Sequence, residues 1–275
     1  MFLLLLLLAV ADPSLQAIAA PAGGIVGFAA LDLSSGRTLG LHENEGFPMQ
    51  SVFKLPVAIE VLNQVDAKKL SLRRVVTLDA ADARGGKDPV VAAPGQATIE
   101  RLLEAMVVDS DNAACDKLLS LIGGPAAVDA RIRAIGVEGI AIRYTEQEML
   151  AGKGDNVGSP AALVALLAKI GRNQTGLSSK SAQRLYKLLL AVRTGPNRLK
   201  AGVPGAVVAH KTGTSQTTSG VTDATNDVGL IEKGRSRIAV AVFVRASPAD
   251  EATRERVIAE LARAAFTTLR PASAR

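Results

Sequence analysis

Ser51 and Lys54, three residues apart in the run QSVFKLPVA, stand at the mouth of a segment that is otherwise apolar. From Val52 to Val65, the side chains Val52, Phe53, Leu55, Val57, Ala58, Ile59, Val61, Leu62 and Val65 put hydrophobic surface on nearly every face, the pattern of a helix buried in a core. Residues i and i+3 share a helix face, so Ser51 Oγ and Lys54 Nζ can meet, and desolvation of the lysine favours its neutral, basic form. A basic amine beside a hydroxyl activates a weak nucleophile. The plain alternative makes Ser51 an N-cap and lets Lys54 snorkel to solvent, and S-x-x-K arises by chance roughly once in a chain of this length.

Three further stretches carry candidate chemistry. Asp109-Ser110-Asp111-Asn112 interrupts two helical patterns, where polar residues that compete with backbone bonding belong, and its plain reading is a helix N-cap. HKTGTS, His210 to Ser215, follows the strand-like AVVA and offers Lys211, Thr212, Thr214, Ser215 and a glycine that allows a ligand close to the backbone. RYTEQEMLAGKGDN, Arg143 to Asn156, forms a long loop before a helix start at Ser159-Pro160, and long loops in compact domains are usually functional. With only His42 and His210 in the chain, the sequence argues against a metal cage, and a Ser-His-Asp triad would need one of those two. No metal or other cofactor is called for.

The elements that must position these groups follow from the hydrophobic periodicity. Ile25 to Leu33, the turn Ser34-Ser35-Gly36, and Thr38 to His42 form a β-hairpin. After the Ser51 helix, helices run over Ile99–Val108, Ala113–Ile122, Ala126–Ile135, Pro160–Ile170 and Lys180–Val192. Strands return at Ala206–Lys211, Asp227–Glu232 and Arg237–Arg245, followed by an amphipathic helix from about Ala249 to Leu269. Strands at both ends around a helical middle make one α/β unit with an all-helical domain inserted, and ligand sites favour such junctions.

Composition agrees with a large globular core, since 48% of the 275 residues are hydrophobic. MFLLLLLLAVA is too short to span a bilayer and ends in Ala9-Val10-Ala11, the form of a signal-peptidase site, with a second candidate at Ala17-Ile18-Ala19. The only cysteine, Cys115, forms no intramolecular disulfide. The net charge of +6 points to no nucleic-acid partner, because no basic run exceeds the pairs Lys68-Lys69 and Arg73-Arg74 and aromatic residues are nearly absent.

In the order S-x-x-K, S-D-N, loop glutamate, K-T-G, these motifs resemble the signature of class A serine β-lactamases and their penicillin-binding relatives. MQSVFKLP, HKTGTS and ATNDVG resemble the extended-spectrum branch of PER and VEB type. The resemblance implies a two-domain α/β β-lactamase fold, an antiparallel sheet flanked by helices plus an all-helical domain, with the active site at the junction. Its divisions would be a signal peptide over 1–11, the α/β domain over 12–45 and 195–275, and the inserted helical domain over 46–194.

By the same resemblance Ser51 is the nucleophile and Lys54 its proton acceptor or relay, Ser110 passes a proton to the lactam nitrogen, and Glu146 activates water to hydrolyse the acyl-enzyme, with Glu148 as rival base. Asn112 donates to the substrate side-chain amide, and Lys211, Thr212, Thr214 and Ser215 line the far wall. Arg198 falls where extended-spectrum relatives carry an arginine that reaches the carboxylate pocket. Where most class A enzymes have an asparagine four residues after the glutamate, this chain has Leu150, which cannot hydrogen-bond water. The resemblance thus implies a periplasmic or secreted monomer acting on small-molecule β-lactams, without nucleic acid or stable membrane association. A penicillin-binding D,D-peptidase-like protein or slowly deacylating β-lactam-binding protein is the rival reading.

Overall fold

The structure, a computed structural model, describes residues 13–83 and 91–270, so the expected signal segment 1–11 lies outside the described residues. In chain order the elements are α1 (Pro13–Ala19), β1 (Ile25–Asp32), β2 (Thr38–Leu41), β3 (Phe47–Pro48), α2 (Lys54–Asp66), β4 (Val75–Leu78) and β5 (Gly95–Thr98). Next come α3 (Ile99–Val108), α4 (Asn112–Ile122), α5 (Gly124–Ala134), β6 (Ile140–Ala141), α6 (Glu146–Leu150), β7 (Val157–Gly158), α7 (Pro160–Gly171) and α8 (Ser179–Leu190). The chain ends with α9 (Leu199–Gly202), β8 (Val207–Thr214), β9 (Thr217–Thr218), β10 (Val221–Lys233), β11 (Ser236–Ser247) and α10 (Glu251–Leu269).

The main sheet has the order β2-β1-β11-β10-β8, with β9 paired to β10. All of its pairings are antiparallel, so both ends of the chain contribute strands to one sheet. Both of its faces are covered. Because successive side chains point to opposite faces, β11 sends Ala239, Ala241 and Phe243 into a core shared with the helices of the middle segment. Its Ile238, Val240, Val242 and Val244 enter a second core under α1 and α10. Burial on both faces explains why the strands read as apolar runs rather than as alternating patterns. The alternative cleavage after Ala17-Ile18-Ala19 falls within α1, whose Leu15 is 2% exposed in the second core. Cleavage there would remove a packed helix.

Local sequence signals set the helix starts. Thr98, Asp111, Ser159, Ser178 and Asp250 each accept a backbone N–H from the first turn of the following helix. Two helices, α3 and α7, hold nearly the lengths expected from periodicity, whereas α5 begins at Gly124, ahead of the expected Ala126. The strand expected over Asp227–Glu232 extends from Val221 to Lys233, because backbone pairing to β8 and β11 carries polar residues into the ladder. A second correction concerns the loop over 143–156, which contains the one-turn helix α6.

Candidate active site

The serine does not cap a helix. Ser51 lies in a 3₁₀ turn, Gln50–Phe53, that leads into α2, and α2 has no side-chain N-cap. Lys54 does not snorkel either, being fully buried at 0% exposure. With both plain readings removed, a buried lysine needs polar partners, and it has five. Lys54 Nζ donates to Ser51 Oγ at 3.1 Å, to Ser110 O at 2.6 Å, to Ser110 Oγ at 3.4 Å and to Asn112 Oδ1 at 2.6 Å. It also lies 2.8 Å from Glu146 Oε1, at ion-pair distance though not aligned as a hydrogen bond.

Ser110 occupies the turn between α3 and α4 with φ +62°, a left-handed conformation that non-glycine residues rarely adopt. The amides of Asp109 and Asp111 both bond Ala105 O, which closes the turn. Lys211 on β8, fully buried, donates to Ser110 Oγ at 2.9 Å and to Thr212 O at 3.0 Å. Ser110 therefore sits between two lysines. Burial, together with the charge of Lys54, lowers the Lys211 pKa to about 7.

The glycine of the K-T-G run also serves the packing of the site. A Cβ on Gly213 would lie 2.4 Å from Met49 O, so its absence lets β8 press against the Ser51 turn. Asn226 on β10 fastens the same turn by donating to Pro48 O at 2.8 Å and Met49 O at 3.2 Å.

Glu146 opens α6 and is 6% exposed. Asp116, facing it from α4, accepts Glu146 N at 2.7 Å and Gln147 N at 3.0 Å, satisfying two amides that a helix start leaves unpaired. Asn156 closes the loop base: its Oδ1 accepts Arg143 N and Tyr144 N, and its backbone oxygen accepts Met49 N at 2.8 Å. Gln50 Nε2 donates to Asp155 Oδ1 at 3.2 Å, a second tie between loop and turn. Glu148, the rival base, is committed elsewhere: it forms a capping box with Thr145 and pairs with Lys153 at 3.1 Å. The Thr145 amide and Lys153 hold its carboxyl below the usual carboxylate range.

Farther along β8, Thr212 Oγ1 meets Thr194 Oγ1 at 2.5 Å. Arg198 is 3% exposed, pairs with Glu255 at 3.0 Å, and donates through Nη2 to Thr214 Oγ1 at 2.9 Å. Ser215 Oγ accepts Ala224 N at 2.9 Å, so it stabilises the opening between β8 and β10. Ser51, Lys54, Ser110, Asn112, Glu146 and Lys211 thus form one connected cluster, with Thr212, Thr214 and Arg198 along its β8 side. Leu150 is 61% exposed and projects into solvent. Sequence reasoning missed Asp116, Asn156, Asn226 and Glu255. The available signal was a polar residue inside an apolar helix or strand pattern, which holds for Asp116 and Asn226.

A fold of two cores on one antiparallel sheet, with a serine–lysine–carboxylate cluster where the helices meet that sheet, is the arrangement of a class A serine hydrolase of β-lactams. Residues 11–269 match the model of the β-lactamase enzyme family, and the chain belongs to that family. It is 40% identical to the extended-spectrum β-lactamase PER-1 of Pseudomonas aeruginosa over 81% of this chain and 75% of that protein. It is 34% identical to the β-lactamase VEB-1 of the same organism, over 86% and 83% of the two chains. Among solved structures, a β-lactamase from Chitinophaga pinensis superposes with a TM-score of 0.89 at 38% identity, covering 94% of this chain and 98% of that one.

Proposed function

We propose that the chain hydrolyses β-lactams through an acyl-enzyme on Ser51, with Glu146 activating the water that releases it. One observation carries this reading: Lys54 Nζ lies 3.1 Å from Ser51 Oγ and 2.8 Å from Glu146 Oε1. A single buried amine thus connects the group that would attack with the carboxylate that would deprotonate water. In the first step Ser51 Oγ attacks the lactam carbonyl and its proton passes to the Lys54–Glu146 pair. The ring C–N bond breaks, and the nitrogen takes a proton from Ser110 Oγ, which Lys54 or Lys211 restores. The backbone amides of Ser51 and Thr214 would stabilise the oxyanion. In the second step Glu146 takes a proton from water, the hydroxide attacks the ester, and the ester C–O bond breaks to return Ser51.

Asn112 Oδ1 is engaged by Lys54, so its amide nitrogen is the group that donates to the substrate side chain. Lys211, Thr212 and Thr214 would receive the substrate carboxylate. Arg198 donates to Thr214 Oγ1, which leaves the threonine's own hydroxyl proton to point at that carboxylate. On this basis cephalosporins are hydrolysed at least comparably to penicillins, and steady-state kinetics favouring penicillins by orders of magnitude would count against it. The same reading divides the chain into an α/β domain, 12–45 and 195–275, and a helical domain, 46–194. It makes the mature protein a periplasmic or secreted monomer. Among the described residues no helix is long and apolar enough to cross a membrane.

Mass spectrometry after mixing with benzylpenicillin tests the mechanism. The expected result is a Ser51 adduct that forms and then decays. A persistent adduct would move the chain to the slowly deacylating, penicillin-binding-like class, and no adduct would overturn the reading.

A further inference from the structure

At the opposite end of α2 from the Ser51 turn, a concavity of about 730 Å³ opens between the loop after α2 and the first turns of α3 and α8. A helix of 13 residues rises roughly 20 Å at 1.5 Å per residue, so an occupant here would not block the cleft. Its wall carries Lys68, Lys69, Arg73, Arg74, Lys180 and Arg184 against one carboxylate, Glu100. Six cations less one carboxylate leaves five positive charges, nearly the whole of the chain's net +6. Glu100 is already paired with Arg184. Asp66, at the end of α2, is turned to Ser178 and Ser181. Among the described residues, Lys68, Lys69, Arg73, Arg74 and Lys180 have no ion-pair partner.

Ordinary surface placement does not account for this cluster. The negative end of the α2 dipole suits Lys68 and Lys69, but Lys180 lies in the first turn of α8, where the dipole disfavours a cation. The two basic pairs, separate in the sequence, are thus gathered with Lys180 and Arg184 around one hollow despite their mutual repulsion. A ligand carrying several adjacent negative charges would relieve that repulsion.

We propose that this concavity is a binding site for clustered phosphates, of the size of a di- or triphosphate group, whether free or presented by an anionic lipid headgroup. The site is independent of the hydrolytic reading. Isothermal titration calorimetry with inorganic tripolyphosphate, and co-sedimentation with phosphatidylcholine vesicles carrying cardiolipin, whose headgroup holds two phosphates, test it on the wild type and two charge-matched variants. Arg73→Gln/Arg74→Gln should weaken binding at least about tenfold, whereas the control pair Arg235→Gln/Arg263→Gln should change it less than about twofold. A melting temperature unchanged in both reports intact folding. Tripolyphosphate binding alone identifies free phosphate as the source, and vesicle binding alone identifies the headgroup. Binding to neither overturns the proposal, as does equal weakening by both variants. Binding to both, weakened by the Arg73/Arg74 variant alone, supports a site that takes the phosphate cluster from either source.

Discussion

The two sides of the proposed catalytic cluster are built from different materials. The Ser51 side rests on apolar packing: Met49, Val52, Phe53, Leu55 and Val57 around the serine turn are all 0% exposed. The Glu146 side rests on hydrogen bonds, from the side chains of Asp116, Asn156 and Thr145 to backbone amides and from Gln50 to the side chain of Asp155. Apolar packing spreads its contribution over many weak contacts and tolerates conservative change. A hydrogen bond to a buried amide concentrates it, and removal leaves the partner unsatisfied. The acylating half should therefore be robust to substitutions around it, and the deacylating half fragile.

The largest effects should come from the two groups proposed to react. Ser51→Ala leaves a methyl group that cannot attack a carbonyl, so no antibiotic adduct should form although the protein melts as the wild type does. An adduct on that variant would relocate the nucleophile. Glu146→Gln should do the reverse, since an amide cannot accept the water proton: acylation persists and deacylation slows by about 10²–10⁴-fold, the usual contribution of a general base. Intact mass spectra taken over time distinguish the two.

Next in size are the anchors of the loop. Asp116→Ala would leave the buried Glu146 amide and the half-buried Gln147 amide without an acceptor, at a cost of about 1–3 kcal/mol. If that cost falls on the position of Glu146, deacylation slows roughly ten- to a hundredfold while acylation changes little. Asn156→Ala should act in the same direction, through Arg143 N and Tyr144 N. Equal losses in both steps, measured by single-turnover mixing, would show that the two halves are not separable.

The same division decides what was legible in the sequence. The Ser51 helix, the helices α3 and α7 and the doubly buried strands announce themselves through periodicity, because packing against a core imposes a spacing on apolar residues. Ser51, Lys54 and Lys211 could be singled out because a polar group at the edge of an apolar run is conspicuous. The carboxylate side gives no such spacing. Asp116 is one polar residue on α4, and Asn156 is one of several polar residues in a loop. Neither pattern tells which backbone amides they will meet. The one-turn helix α6 was hidden for the same reason, since five residues are too few to display a period.

On the Ser51 side, Lys211 gives a pH signature. Its pKa is lowered to about 7, so in the free enzyme the cation is present below that value and lost as pH rises through it. If the cation receives the substrate carboxylate, kcat/KM should fall on the alkaline side of about pH 7, and more in KM than in kcat. Lys211→Gln should lower kcat/KM at neutral pH and abolish this alkaline limb. A limb that survives in the variant would belong to another group.

The smallest effect expected is at Leu150, although the sequence makes it the most conspicuous departure from the family. An asparagine four residues after the glutamate would share its helix face in a long helix and could hold the hydrolytic water. In this one-turn helix Glu146 is 6% exposed and Leu150 is 61% exposed, so the two side chains do not enter the same buried space. An amide at 150 would meet solvent before it met the water at Glu146. Leu150→Asn should therefore change the deacylation rate by less than about twofold, a barrier difference well under 1 kcal/mol. Pre-steady-state mixing with nitrocefin checks it on both proteins. A burst in the wild type that shrinks in Leu150→Asn, with a faster steady rate, would mean that position 150 reaches the water during turnover, and that the loop rearranges when substrate binds. An unchanged profile would leave the task of holding the water to Glu146 and Ser51, with Asp116 fixing the backbone that carries the glutamate.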